Sequence, residues 1–336
     1  MGTSAGIFQQ KHFRSFWLPG DVRLPGLAFI AWRFAGPANH RTAGTFTVLV
    51  ASMVSRFPGS RETRSDDRGI REPVFPPGGP DGGDRHRSEP PAGIGAAICM
   101  VLARAGANIF FTHWQPYDQQ TSGLLDREGP SILEEAIERQ GVRAGGMRVD
   151  LSEPDAPARV IETASQWLGP ATILINNAAY STDSSWDTLD AATLDAHYAV
   201  NLRATALLCA EFARRFPDDQ QRQGTGRIIN MTSGQSRGPM PRELAYAATK
   251  GAVDAFTVSL SLALAPRGIT VNAVSPGPTD TGWMDDDLKA LLLPRFPMGR
   301  IGEPGDAARL VEFLASPEAR WITGQILHSE GGFARG

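Results

Sequence analysis

Residues 92–336 predict a doubly wound α/β fold, a single parallel sheet covered on both faces by helices. Three observations carry this. Short apolar runs alternate with helical stretches along the whole of that part. The runs lack the polar alternation of a half-solvated sheet, as in 172–175 (TILI). Polar and glycine-bearing motifs follow the runs at their carboxyl ends, where sheets of this kind hold ligands.

Taken in order, residues 95–104 (GAAICMVLAR) have helical apolar spacing and stop at Gly106. A strand is expected at 108–112 (NIFFT), an amphipathic helix at 132–139 and a strand end at 148–151 (RVDL). Helix 156–168 precedes strand 172–175, helix 191–215 precedes strand 227–231 (RIINM), and helix 246–265 precedes strand 270–274 (TVNAV). Helix 304–315 and a last strand near 325–328 complete the series.

Residues 1–91 differ. They carry twelve basic and eight acidic side chains, +4, so the rest carries −7 of the net −3. They are rich in Pro, Gly, Arg and Ser, and 73–83 (PVFPPGGPDGG) reads as loop. Only 45–52 (TFTVLVAS) resembles a strand. The expectation is one domain over 92–336 with a poorly ordered N-terminal extension.

The small net charge offers no basic field for nucleic acid, and no apolar run reaches membrane-spanning length. The first residues lack the basic-then-apolar order expected of a secretory signal. Cys99 and Cys209 sit in apolar helical patterns, which suits two buried thiols in a reducing, cytoplasmic setting. Of the 33 basic residues only Lys11, Lys250 and Lys289 are lysines, so each lysine is informative.

The strongest chemical signal is Tyr246-Ala-Ala-Thr-Lys250. Spacing of four places both side chains on one helical face, a turn apart. A phenol titrates near about 10, and a neighbouring ammonium favours its ionised form. Alone, this spacing is common on surface helices. Here Ser233 stands thirteen residues earlier, just past a strand, where its hydroxyl can donate to a carbonyl oxygen. Asn201 lies within a helical stretch that an amide does not favour. Asn177-Ala178-Ala179 and Asp150-Leu151 end strands, and Pro276-Gly277 with Thr279 and Thr281 follows another.

This ordered set, with Gly93-Ile94-Gly95, Ile322-Thr323-Gly324-Gln325 and Glu330-Gly331-Gly332, resembles the short-chain dehydrogenases/reductases over about residues 92–334. Relatives are often described as 3-oxoacyl-[acyl-carrier-protein] reductases. The resemblance implies a Rossmann-like sheet, a nicotinamide cofactor, a small-molecule carbonyl or alcohol substrate and a homo-oligomer, dimer or tetramer. It implies Tyr246 as general acid or base, Lys250 as its charge partner and ribose ligand, Ser233 as the group that polarises the carbonyl, and Asn201 as positioning a water beside Lys250. Gly93, Ile94, Gly95, Asp150, Leu151, Asn177, Ala178, Ala179, Pro276, Gly277, Thr279 and Thr281 would bind cofactor, with Tyr246 and Lys250. A carboxylate at the end of the second strand would favour NAD; here stand Thr112-His113-Trp114, which favours NADP, with NAD possible. Residues 182–189 and 282–296, with Trp186, Trp283 and Met284, are expected to line or cover the substrate pocket, or simply to pack.

The family places a strand and a Thr-Gly-x-x-x-Gly-x-Gly turn before its first helix. Only Gly93-Ile94-Gly95 remains of that turn, and residues 82–91 (GGDRHRSEPP) are not strand-like. With suitable synonymous codons, a one-base shift there reads Val-Ala-Ile-Val-Thr-Gly-Val-Ser-Arg, a match to the absent strand and turn. Residues 1–91 are then an out-of-frame translation. Two alternatives stay open: an organelle transit peptide, since residues 1–60 hold one acid, Asp21, or residues 45–52 serving as the central strand. Without the turn, NADPH binding by this polypeptide is expected to be weak or absent. A fluorescence titration giving tight binding overturns that, and re-reading the DNA from Gly79 to Gly95 decides the frame.

Overall fold

Seven strands form the sheet: β1 (Thr47–Ala51), β2 (Asn108–His113), β3 (Ala144–Arg148), β4 (Ile173–Asn176), β5 (Gly226–Met231), β6 (Ile269–Ser275) and β7 (Ile326–His328). This computed structural model describes residues 47–51, 93–114 and 129–335, all within Gly44–Gly336. Every pairing is parallel, in the order β3-β2-β1-β4-β5-β6-β7. The order reverses direction beside β1, so the crevice for a ligand opens above β1 and β4.

Helices α1 (Ile94–Arg104), α2 (Gly129–Glu138) and α9 (Pro304–Ala315) cover one face. Helices α3 (Ala156–Leu168), α5 (Thr205–Arg215) and α7 (Leu244–Leu264) cover the other. Strand side chains alternate between the two cores. Val48, Val50, Ile109, Phe111, Ile173 and Ile175 pack under α1 and α9, whereas Leu49, Phe110, Leu174 and Ile228 pack under α3 and α5. Both faces being buried, the runs have no polar side to show, which is why they read as continuous apolar stretches. The remaining described α-helices are short: α4 (Ala191–His197), α6 (Asp218–Gln223) and α8 (Asp286–Leu292). Among the described residues no helix is long and apolar enough to cross a membrane.

The N-terminal reading needs correction. β1 lies inside the segment expected to stand outside the domain, and it takes the central seat, which is the alternative left open for residues 45–52. Leu49 is in register with Phe110 on one side and Leu174 on the other. A seat between two strands leaves two rows of backbone groups to be paired, and residues 47–51 are the β-branched apolar run that fills it. The expected boundary between residues 91 and 92 is therefore not where the sheet begins. Residues 52–92, including the proposed shifted turn, lie outside the described residues.

Two smaller departures have local causes. The third strand is Ala144–Arg148, earlier than the expected 148–151, because Gly145 and Gly146 disguise it. A Cβ at Gly145 would meet the Trp167 indole at 2.7 Å, so a side chain there would have to displace that ring. The long helix expected over 191–215 is interrupted by a π-helical segment, Tyr198–Ala204, which contains Asn201. Such segments are frequent at functional sites.

Leu49→Ala is expected to lower the unfolding free energy by about 2–5 kcal/mol. Urea denaturation checks this, and an unchanged midpoint would show that residues 47–51 contribute no core strand.

Candidate active site

Helix α7 begins where Ser184 holds it. The Leu244 amide donates to the Ser184 carbonyl at 2.9 Å, and the Ala245 amide donates to Ser184 Oγ at 3.1 Å. Two otherwise unsatisfied N–H groups of a helix start are thereby paired, and Tyr246 sits in the first turn. One turn on, Lys250 is 2% exposed and donates from Nζ to the Met231 carbonyl, at the end of β5, at 2.8 Å. Its ammonium stands 5.5 Å from the centre of the Tyr246 ring. Burial pulls its pKa down to about 8, opposed by the negative charge of Asp254. Ser233 lies just past β5, in the loop that leads to α7.

Ser233, Tyr246 and Lys250 line one cleft of about 620 Å³ above the carboxyl ends of the strands. Gly93, Ile94, Gly95, Asn177 and Ala179 line it from the β1–β4 side, and Pro276, Gly277, Thr279 and Thr281 from beyond β6. Gly277 has φ +65°, and a Cβ there would meet Glu330 Cγ at 2.9 Å, so this turn requires glycine.

The other expected residues fall elsewhere. Asp150 accepts from the Ser152 amide at 2.8 Å, closing its own turn, and Leu151 is buried in the core. Ala178 points into the core between its two cleft-lining neighbours. None of these three side chains lines the cleft. Asn201 does not line it either. Its Nδ2 donates to the Tyr180 carbonyl at 2.9 Å and to Thr249 Oγ1 at 3.0 Å, and its Oδ1 accepts from the Tyr180 amide at 2.7 Å. Both amide hydrogens are thus engaged, leaving neither for a water beside Lys250. Trp283 lines the cleft and donates to the Thr279 carbonyl at 3.1 Å. Trp186 is exposed and Met284 buried, both away from the lining.

The arrangement suits a nicotinamide dinucleotide. The amino end of α1 meets the cleft with Gly93 in extended conformation, no capping side chain and no acidic residue in the first turn. Its backbone amides and dipole favour an anion such as a pyrophosphate. At the end of β2, His113 Nδ1 is buried and has no hydrogen-bond partner among the described residues, and the Arg148 guanidinium lies 5.3 Å from the Trp114 ring. Burial, then the charge of Arg148, holds the His113 pKa below its ordinary value. Among the described residues no cluster of His, Cys, Asp or Glu could hold a metal ion. Cys99 and Cys209 are free and buried, with burial pushing both thiols up to about 12.

Sequence reasoning missed Arg335, which lines the cleft and pairs with the buried carboxylate of Glu330. It missed Glu243 too, a cleft-lining carboxyl raised by burial and by the charge of Asp183. Neither residue stands in a spacing that marks it locally. Glu330 was visible only as part of a C-terminal motif.

Comparisons with known proteins agree with this geometry. The family described as enoyl-(acyl carrier protein) reductase matches residues 90–334. An uncharacterized oxidoreductase of Bacillus subtilis is 57% identical over 72% of this chain and 92% of its own length. A 3-oxoacyl-[acyl-carrier-protein] reductase of Aquifex aeolicus is 32% identical over 71% of this chain and 92% of its own. Among solved structures, an acetoin dehydrogenase from Salmonella typhimurium is 33% identical with a TM-score of 0.62, covering 72% of this chain and 92% of that one. A blue fluorescent protein from a metagenomic library, in complex with NADPH, is 31% identical with a TM-score of 0.63, covering 72% and 93%. Fold, cleft and relatives converge: the chain is an oxidoreductase that belongs to the short-chain dehydrogenase/reductase family.

Proposed function

We propose that this protein is an NADP(H)-dependent reductase of a ketone, 3-oxoacyl-like or similar, acting also in the reverse direction. The observation that carries the reading is the placing of Ser233, Tyr246 and Lys250 in one cleft with the amino end of α1. The bound cofactor supplies the hydride to the carbonyl carbon. The Ser233 hydroxyl donates to the carbonyl oxygen and holds it. Tyr246 Oη delivers the proton to that same oxygen, and takes it back in the oxidation. Lys250 has one N–H on Met231, which fixes the ammonium beside the Tyr246 ring; its remaining N–H groups would hold the ribose of a bound cofactor and support the phenol. Asn201 acts as a positioning residue, tying Tyr180 to Thr249, the neighbour of Lys250. Asp150, Leu151 and Ala178 contribute through backbone alone.

The choice of NADP rests on the end of β2. Arg148, Trp114 and His113 form a cationic, aromatic setting, with no carboxylate at that strand end among the described residues, matched to a 2′-phosphate. An NAD-linked alcohol or sugar dehydrogenase is the second reading, supported by the likeness to an acetoin dehydrogenase. A binding protein that has lost turnover is the third, supported by the atypical segment before Gly93; the complete Ser233–Tyr246–Lys250 set speaks against it. The exposed apolar side chains Leu194, Tyr198, Val258 and Leu262 support a homo-oligomer. Two buried free thiols suit a reducing cytoplasm.

Tyr246→Phe is expected to lower kcat for ketone reduction by roughly 10²–10⁴-fold; unchanged turnover removes the proposed acid. Lys250 is charged below its pKa of about 8, so kcat/KM for reduction falls as pH rises through that value. In Lys250→Arg the fall moves to higher pH, because a guanidinium stays protonated; a profile unmoved by the change excludes this cause. Arg148→Glu is expected to shift the ratio of kcat/KM for NADPH over NADH by about tenfold to a hundredfold towards NADH, and an unaltered ratio places the 2′-phosphate elsewhere.

A further inference from the structure

The C-terminal tail returns to the cleft. After β7 the chain reverses through Gly331 and Gly332, both at positive φ. The Phe333 amide then donates to the Glu330 carbonyl at 2.9 Å, and the Ala334 amide donates to the Arg295 carbonyl at 2.9 Å. The Phe333 ring lies 4.8 Å from Phe296 on one side and 5.2 Å from the Arg335 guanidinium on another. Arg335 is thereby delivered to Glu330. Nη1 donates to Oε2 at 2.6 Å, and Nη2 donates to Oε1 at 2.8 Å. Glu330 is 6% exposed and also accepts from Ser275 Oγ, at the end of β6, at 2.8 Å. His328 Nδ1 stands 3.3 Å away and Arg237 4.0 Å away.

Two cleft loops close directly on this pair. A Cβ at Gly277 would meet Glu330 Cγ at 2.9 Å. Cβ atoms at Gly234 and Gly238 would meet Arg335 at 1.9 Å and 2.7 Å. Gly234 follows Ser233 in the chain, and Gly277 belongs to the turn assigned to the cofactor. At Gly234 and Gly238 the backbone is not in the left-handed region; a side chain at Gly234 would have to displace the Arg335 guanidinium, and one at Gly238 the aliphatic stem of Arg335. The charges of the pair cancel, which makes Arg335 a poor receptor for an anionic substrate. An enclosed ion pair contributes little net stability, but a bidentate one fixes geometry.

We propose that Arg335 is a positioning residue: its ion pair with Glu330 braces the Ser233 loop against the Pro276–Gly277 turn and sets the Ser233 hydroxyl for the reaction. The inference rests on the reductase reading of the cleft. Loss of the brace displaces Ser233 without touching the core, so turnover suffers more than folding.

The test uses the full chain with Arg335→Ala, Arg335→Lys, Gly234→Ala, the double variant Gly234→Ala/Arg335→Ala, and Arg300→Ala as a control on the exposed Arg300–Asp306 pair. Amide hydrogen exchange of residues 232–243 and 276–281 is read without cofactor, and kcat and KM at saturating NADPH. The expected result is faster exchange in both loops for Arg335→Ala, with kcat lower by roughly tenfold to a hundredfold and KM changed less. Arg335→Lys recovers part of both. The double variant is no worse than the more damaged single, because both changes remove one contact. The control leaves the loops unchanged. Unchanged exchange in both loops of Arg335→Ala, or losses that multiply in the double variant, overturn the brace. If exchange responds as expected while the unaltered chain reduces no carbonyl, the brace stands and the reductase reading falls.

Discussion

A buried ammonium group is the constraint around which the site is built. Lys250 is almost fully enclosed, and burial alone would drive it towards its neutral form. It retains its charge near neutrality because the Met231 carbonyl accepts from it and Asp254 lies one turn along the same helix. Both supports depend on tertiary structure: the end of β5 must sit against the first two turns of α7. That contact is reinforced below by a buried polar chain in which Asn176 Nδ2 donates to Asn230 Oδ1 at 2.8 Å and Asn230 Nδ2 donates to Thr257 Oγ1 at 2.9 Å. In a chain with only three lysines, one so placed reflects chemistry more than solubility.

The two ends of the cleft are assembled differently. On the side of the proposed catalytic set, Tyr246 and Lys250 share a helix and Ser233 stands in the loop before it, so a short stretch of chain fixes their relation. On the cofactor side, α1, the end of β4 and the turn after β6 come from distant parts of the sequence, and only the sheet brings them together. Glu330 and Arg335 join the second group, because the tail that carries them packs across both loops.

The central strand shows how the same physics selects a segment. A parallel sheet buried on both faces needs an apolar run between β2 and β4, and Thr47–Ala51 meets that need with Val48, Leu49 and Val50 fully enclosed. Burial alternates correctly, Leu49 to one core and its two neighbours to the other. Local reading recognised a strand in 45–52 and left the central seat open to it, but could not choose that seat over the alternatives, since pairing partners lie far along the chain.

The sequence by itself determined the α/β alternation from Gly93 onwards, because apolar periodicity is a local property of burial. Helices 156–168 and 304–315 match their expected bounds, and apart from the third strand the strand ends differ by a residue or two. It also determined the Ser233–Tyr246–Lys250 set, whose spacing is itself the geometry. Gly145 and Gly146 hid a strand, because glycine has no side chain to show a pattern. Tertiary structure alone decided that Leu151 and Ala178 are core, that Asn201 binds Tyr180 and Thr249, that Trp186 stands outside the cleft, and that Thr47–Ala51 sits mid-sheet. It alone paired Arg335 with Glu330 over Gly234 and Gly277. The reason is common to all of these: which way a side chain faces, and what meets it, depends on contacts between residues far apart in sequence, and no local pattern encodes them.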